Sequence, residues 1–132
     1  MFCSIQSACL HGLNSLKVTV EISATPGLPQ ETIIGLADTV VKESRARIKS
    51  AIHFSNFELP AMAYTINLSP TDIIKKNTSL ELAICTGLLI ATQQITIQTN
   101  MCFIAGVALD GQITPIRHLL PLIHFYTQPN TI

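Results

Sequence analysis

Glu31-Thr-Ile-Ile-Gly-Leu-Ala-Asp-Thr-Val-Val-Lys-Glu-Ser-Arg-Ala-Arg-Ile-Lys-Ser-Ala-Ile-His53 changes its period halfway along. Residues 31–36 are β-like, with Ile33 and Ile34 leading to Gly35. From Asp38 the apolar residues Val41, Ile48 and Ile52 recur on one helical face, with Ala51 beside them. Lys42, Glu43, Arg45, Arg47 and Lys49 take the other positions. This predicts a helix over 38–53. Asp38 is the expected N-cap, because its carboxylate can accept hydrogen bonds from the first-turn amides.

Upstream, residues 4–10 form a short apolar segment. Over 16–24, Leu16, Val18, Val20 and Ile22 alternate with Lys17, Thr19 and Glu21, the pattern of a half-buried strand. The two read as a hairpin joined over 12–15. Pro26 and Pro29 stiffen the loop that follows. Downstream, a strand over 62–68 closes at Ser69-Pro70, and residues 71–78 form a loop carrying Asp72, Lys75 and Lys76. Thr78-Ser-Leu-Glu81 matches a capping box and predicts a second helix to about residue 93. Segments 102–109 and 112–116 flank Asp110-Gly111, which suits a type I′ hairpin turn. A last helix is expected over 117–126, then a polar linker start over 127–132. The order predicts an α+β two-layer sandwich, a mixed β-sheet with helices packed on one face, as one domain over 1–126.

Apolar residues make up 48% of the 132, enough for a core, but charged residues only 12%, about half the usual share. Eight basic and eight acidic residues cancel. So neutral a surface associates readily, and part of it is expected to be covered by more chain or by sister subunits. Neutrality also argues against a dedicated nucleic-acid-binding domain, although a local basic patch stays open. Cys3, Cys9, Cys85 and Cys102 include no C-x-x-C pair and are expected as buried thiols of a cytoplasmic protein. No apolar run approaches a membrane span.

Nothing fits a phosphate-binding loop or a dinucleotide fingerprint, so no cofactor is expected on this chain. The histidines are scattered, and no metal site is expected. Ser79, at a helix N-terminus, is the best placed nucleophile, but it would need a base, and capping explains it more simply. Lys42, Arg45, Arg47 and Lys49, with Lys75 and Lys76, are the candidate contacts to DNA or to a partner.

Two segments carry a family resemblance. Residues 34–52 (Ile-Gly-Leu-Ala-Asp-Thr-Val-Val-Lys-Glu-Ser-Arg-Ala-Arg-Ile-Lys-Ser-Ala-Ile) resemble the VGLPxxAVKESRERVRSAL signature of ComM-type magnesium-chelatase-like proteins. Residues 65–73 (Thr-Ile-Asn-Leu-Ser-Pro-Thr-Asp-Ile) resemble that family's ITVNLAPADL. Residues 16–29 and the late hairpin over 104–116 are similar to the same region. The resemblance implies a ribosomal-protein-S5-domain-2-like fold, shared with the Lon protease domain. It further implies a downstream AAA+ module holding ATP and Mg, hexameric rings, and DNA branch migration during natural transformation. The partners would be that module, sister subunits and DNA, with no membrane.

The Lon relationship places Ser79 near the Lon nucleophile. The Pro-Lys-Asp-Gly-Pro stretch before that nucleophile reads Ile74-Lys-Lys-Asn-Thr78 here, and Leu120 stands at the lysine-base position. Peptidase activity is therefore not expected. The ComM-type loop Pro-Lys-Glu-Gly-Gly-Arg-Phe-Asp-Leu-Pro is also altered, keeping Lys75 and the acidic Glu81 but losing its glycines and arginine. The chain is expected to be a non-catalytic N-terminal accessory domain that aids ring assembly or DNA engagement. The alternatives are a Lon-like serine peptidase at Ser79 and a freestanding nucleic-acid-binding module.

Overall fold

The structure is a computed structural model and describes residues 1–98 and 100–116. The expected helix over 117–126, the linker start, and Leu120 lie outside the described residues. Two long strands open the chain, β1 (Phe2–His11) and β2 (Asn14–Thr25), paired antiparallel from Phe2↔Ser23 to His11↔Asn14. The turn between them is only Gly12-Leu13, tighter than the 12–15 connection expected, and Gly12 takes φ +63° there. β3 (Gln30–Ile34) leads into α1 (Asp38–Phe54), and β4 (Ala63–Ser69) returns parallel to β3 and antiparallel to β2. The resulting mixed sheet has the order β1-β2-β4-β3. A 3-10 turn over Thr78–Leu80 then runs into α2 (Glu81–Ala91), and a short hairpin follows, β5 (Gly106–Val107) with β6 (Ile113–Thr114).

The predicted alternation is what builds the core. Val18, Val20 and Ile22 of β2 are fully buried, as are Ile66 and Leu68 of β4, facing Ile48 and Ile52 of α1 and Ile84 and Leu88 of α2. α2 is buried nearly all round, because it lies on β1 and β2 with α1 along its flank. On the opposite sheet face Gln6 meets Thr19, and Asn67 donates to Glu21 at 3.0 Å. A two-layer α+β domain follows: one sheet face is closed by helices and the other is polar.

Two expectations at helix starts are corrected. The N-cap of α1 is Ala37, whose carbonyl accepts from Val40 and Val41; Asp38 is the first helical residue, where its charge suits the positive helix end. No capping box forms at Thr78. Instead Ser79 Oγ donates to Ala8 O at 2.9 Å, and the Glu81 side chain is drawn into contacts with α1.

The late hairpin is shorter than expected because its first arm is claimed by other elements. Phe103 N–H donates to Gln6 O at 3.0 Å, Ala105 N–H to Ser79 O, and Leu82 N–H to Ala105 O. Its turn is not type I′, since Gly111 has φ +92° but Asp110 is not left-handed. Gly111 N–H closes on Ala108 O at 3.0 Å, and Asp110 Oδ1 accepts from Gln112 N–H.

Candidate contact surface

α1 distributes its charges over two sides. Arg47 faces α2, where its Nη2 lies 2.7 Å from Glu81 Oε2 and its Nε 3.0 Å from the same oxygen. Ser44 Oγ donates to Glu81 Oε2 at 2.8 Å, and Val107 N–H donates to Oε1 at 3.3 Å. The carboxylate is thus a buried hub joining α1, α2 and β5. Hydrogen bonding to Glu81 raises the Arg47 pKa above its ordinary value.

Arg45 and Lys49, one turn apart, reach the other way, to Glu31 on β3. Arg45 Nε lies 3.3 Å from Oε2, and Lys49 Nζ lies 3.0 Å from Oε1. Lys42 is exposed and makes no ion pair among the described residues. With Asp38, Val41 and Ala46, the three cations border a shallow depression. Past Lys49 the surface deepens into a cleft of about 640 Å³ between α1, the start of β3 and the loop before β4. Phe57, Leu59, Met62 and Tyr64 give it an apolar side. Burial, and secondarily the charge of Glu31, raises the Tyr64 pKa, and its hydroxyl donates to Pro60 O at 2.6 Å.

Lys75 leaves the surface set. It is 2% exposed, and its ammonium donates to Leu68 O at 2.5 Å and to Pro70 O. Burial lowers its pKa. Gly35 makes room for it: with φ +98°, a Cβ there would sit 2.7 Å from Leu68 O and 3.4 Å from Lys75 Nζ. Backbone bonds between Lys75 and residues 35 and 37 hold this segment beside the start of α1, which leaves Lys76 exposed next to that helix end. Of the six basic candidates, the structure brings Lys42, Arg45 and Lys49 together on one face. It turns Arg47 toward Glu81 and buries Lys75.

Lys75 and Glu81, the two loop residues that match the ComM-type pattern, are both buried charges holding elements together. Neither Glu31 nor Glu81 was among the sequence candidates. Glu81 carried a signal, its place in an apparent capping box, but that signal pointed to the wrong partner. Ser79 is 3% exposed and its hydroxyl is engaged by Ala8 O. Among the described residues no group of three or more His, Cys, Asp or Glu could hold a metal ion, and no helix is long and apolar enough to cross a membrane. All four cysteines are thiols, with Cys3, Cys9 and Cys85 buried and Cys102 half-buried.

Fold and surface together define a two-layer α+β domain with a leading hairpin and a charged outer helix. The chain belongs to the family described as subunit ChlI of Mg-chelatase, whose profile matches residues 20–131. It is 44% identical over 104 residues to the uncharacterized protein YifB of Salmonella typhimurium, covering 77% of this chain and 21% of that protein. It is 45% identical over 85 residues to YifB of Escherichia coli, covering 64% and 17%. With the competence protein ComM of Haemophilus influenzae it shares 32% identity over 121 residues, covering 90% and 24%. The resemblance to ComM-type magnesium-chelatase-like proteins therefore holds, and the chain spans about a fifth of the length of these curated relatives.

Proposed function

We propose that this chain is the N-terminal accessory domain of a ComM-type AAA+ protein of the cytoplasm. In this reading ATP hydrolysis, with its Mg, belongs to a downstream module, and the domain supports assembly of a hexameric ring that migrates DNA branches. The observation that carries the accessory role is the engagement of Ser79. Its side chain is buried, and among the described residues its hydroxyl bonds to the Ala8 carbonyl and to no basic side chain. The same contact counts against the Lon-like peptidase alternative.

The face that remains for a partner is the outer side of α1, with Lys42, Arg45 and Lys49. Glu31 neutralises part of that charge. A polyanion gains most where cations are unopposed, so the face suits the downstream module or a sister subunit better than a phosphate backbone. The test compares the full-length protein with a version lacking residues 1–132. Sedimentation would follow ring assembly, alongside ATPase rate and branch migration on forked DNA. Loss of assembly and of migration is expected, and unchanged values for all three would overturn the reading.

A further inference from the structure

β3 is an edge strand among the described residues, laddered to β4 on one side only. Among the described residues, no backbone group of residues 31–34 bonds outside that ladder. Unpaired edges are templates for another strand, and proteins often guard them with an inward-pointing charge. Glu31 holds that position, half-buried toward the helix layer, but Arg45 and Lys49 both close on it. Two cations over one carboxylate leave a surplus positive charge above the edge. Arg45 engages Glu31 through Nε, and neither Nη has a partner among the described residues. The open fork is the geometry that takes a carboxylate in two parallel bonds.

A strand added beyond β3 would lie about 4.8 Å away and run beneath those side chains. Its successive helix-facing residues would be about 6.8 Å apart. One would come under Arg45 and Lys49, and the next would point toward the cleft that these two share with Phe57 and Met62. We propose that β3 accepts a fifth strand from a protein partner, an extended segment placing Asp or Glu beneath Arg45 and Lys49 and an apolar residue two positions away in the cleft. This rests on reading the α1 face as a contact surface, and it adds the mode of contact and the chemistry of the partner. A nucleic acid fits less well, because Glu31 and, at the far rim, Glu58 line the same cleft.

The test is an NMR titration of the isotope-labelled 132-residue chain. The probes are a blocked peptide of alternating Val and Thr with a central Glu, the same peptide with a central Lys, and a short oligothymidine. The acidic peptide should shift the amides of residues 31–34 and of Arg45 and Lys49 saturably, about tenfold more tightly than its lysine counterpart. Arg45→Glu, with its fold checked by the dispersion of its own amide spectrum, should reverse that preference. Equal affinities, shifts elsewhere, no shifts at millimolar peptide, or tighter binding of oligothymidine at the same amides would each overturn the proposal. A failed titration beside a deletion that abolishes ring assembly would leave the accessory role standing and remove only strand addition.

Discussion

Arg47 on α1 and Glu81 at the first position of α2 form the one ion pair in which a carboxylate is almost wholly enclosed, among the described residues. The side chain of Glu81 is 3% exposed and that of Arg47 27%, so the pair reaches from the core to the surface. The carboxylate takes both Arg47 nitrogens, the Ser44 hydroxyl and the Val107 amide. Fully satisfied, such a cluster fixes how α1, α2 and the late hairpin sit together.

Removing one member should therefore cost more than removing both. Arg47→Met alone leaves a buried carboxylate without its countercharge and is expected to lower stability by about 3 kcal/mol. Arg47→Met combined with Glu81→Leu replaces the pair by apolar volume and should lose less than the sum of the single changes. Urea unfolding of the four proteins in the cycle measures this. Additive losses would mean that the two side chains act independently.

This cluster also shows where reading the chain reaches its limit. Periodicity placed β2 and α1, because the alternation of the one and the helical face of the other are local properties. Thr78-Ser-Leu-Glu81 fits a capping box and an ion-pair hub equally well, and the choice depends on Arg47, 34 residues away. Glu31 is 14 residues from Arg45 and gave no local signal at all. The late hairpin was overextended for the same reason, since its first arm bonds to β1 and to Ser79 rather than to its own partner. The basic set was legible as composition, but which side of α1 each charge takes was decided by carboxylates elsewhere.

Lys75 and Lys42 should separate structure from contact. Lys75→Met keeps the apolar stem but leaves the buried Leu68 carbonyl and the part-buried Pro70 carbonyl without this donor, at an expected cost of about 2 kcal/mol. It should leave ring assembly of the full-length protein unchanged under conditions where the variant is folded. Lys42→Glu should do the reverse, with an unchanged urea midpoint and weaker assembly by sedimentation. A contact role for Lys75 would appear as lost assembly in a folded Lys75→Met protein.

Alkaline pH should destabilise the domain through its buried thiols. Burial pushes Cys85 from an ordinary 9.0 up to about 12, with the Glu81 charge adding to the rise, and burial also raises Cys3 and Cys9. In the unfolded chain these thiols ionise near pH 9, while in the folded chain Cys85 holds its proton to about 12. The unfolded state then binds fewer protons, so the Cys85 contribution is intact below pH 9 and is lost as pH rises toward 12. The limiting slope is about 1.4 kcal/mol per pH unit for each thiol. Cys85→Ala should flatten the fall in unfolding free energy across that window, and an unchanged slope would show that Cys85 ionises freely in the folded state.

Gly87 supplies the last test, at the contact between α2 and β2. Alanine in a helix interior gains about 1 kcal/mol over glycine from propensity alone. Here a Cβ would stand 2.5 Å from Cδ1 of the fully buried Ile22, so that side chain must shift. Overpacking of that kind costs about 1–3 kcal/mol, so Gly87→Ala is expected to lower the thermal midpoint despite its better propensity. Ile22→Val alone removes the offending methyl and costs about 1 kcal/mol through the small void it leaves. Together the two changes exchange one methyl for another across the same contact, so the double variant should be more stable than either single one. Thermal unfolding followed by circular dichroism decides it. A Gly87→Ala protein that melts above the parent would mean that β2 yields at Ile22, and that glycine is not required for α2 to lie this close to the sheet.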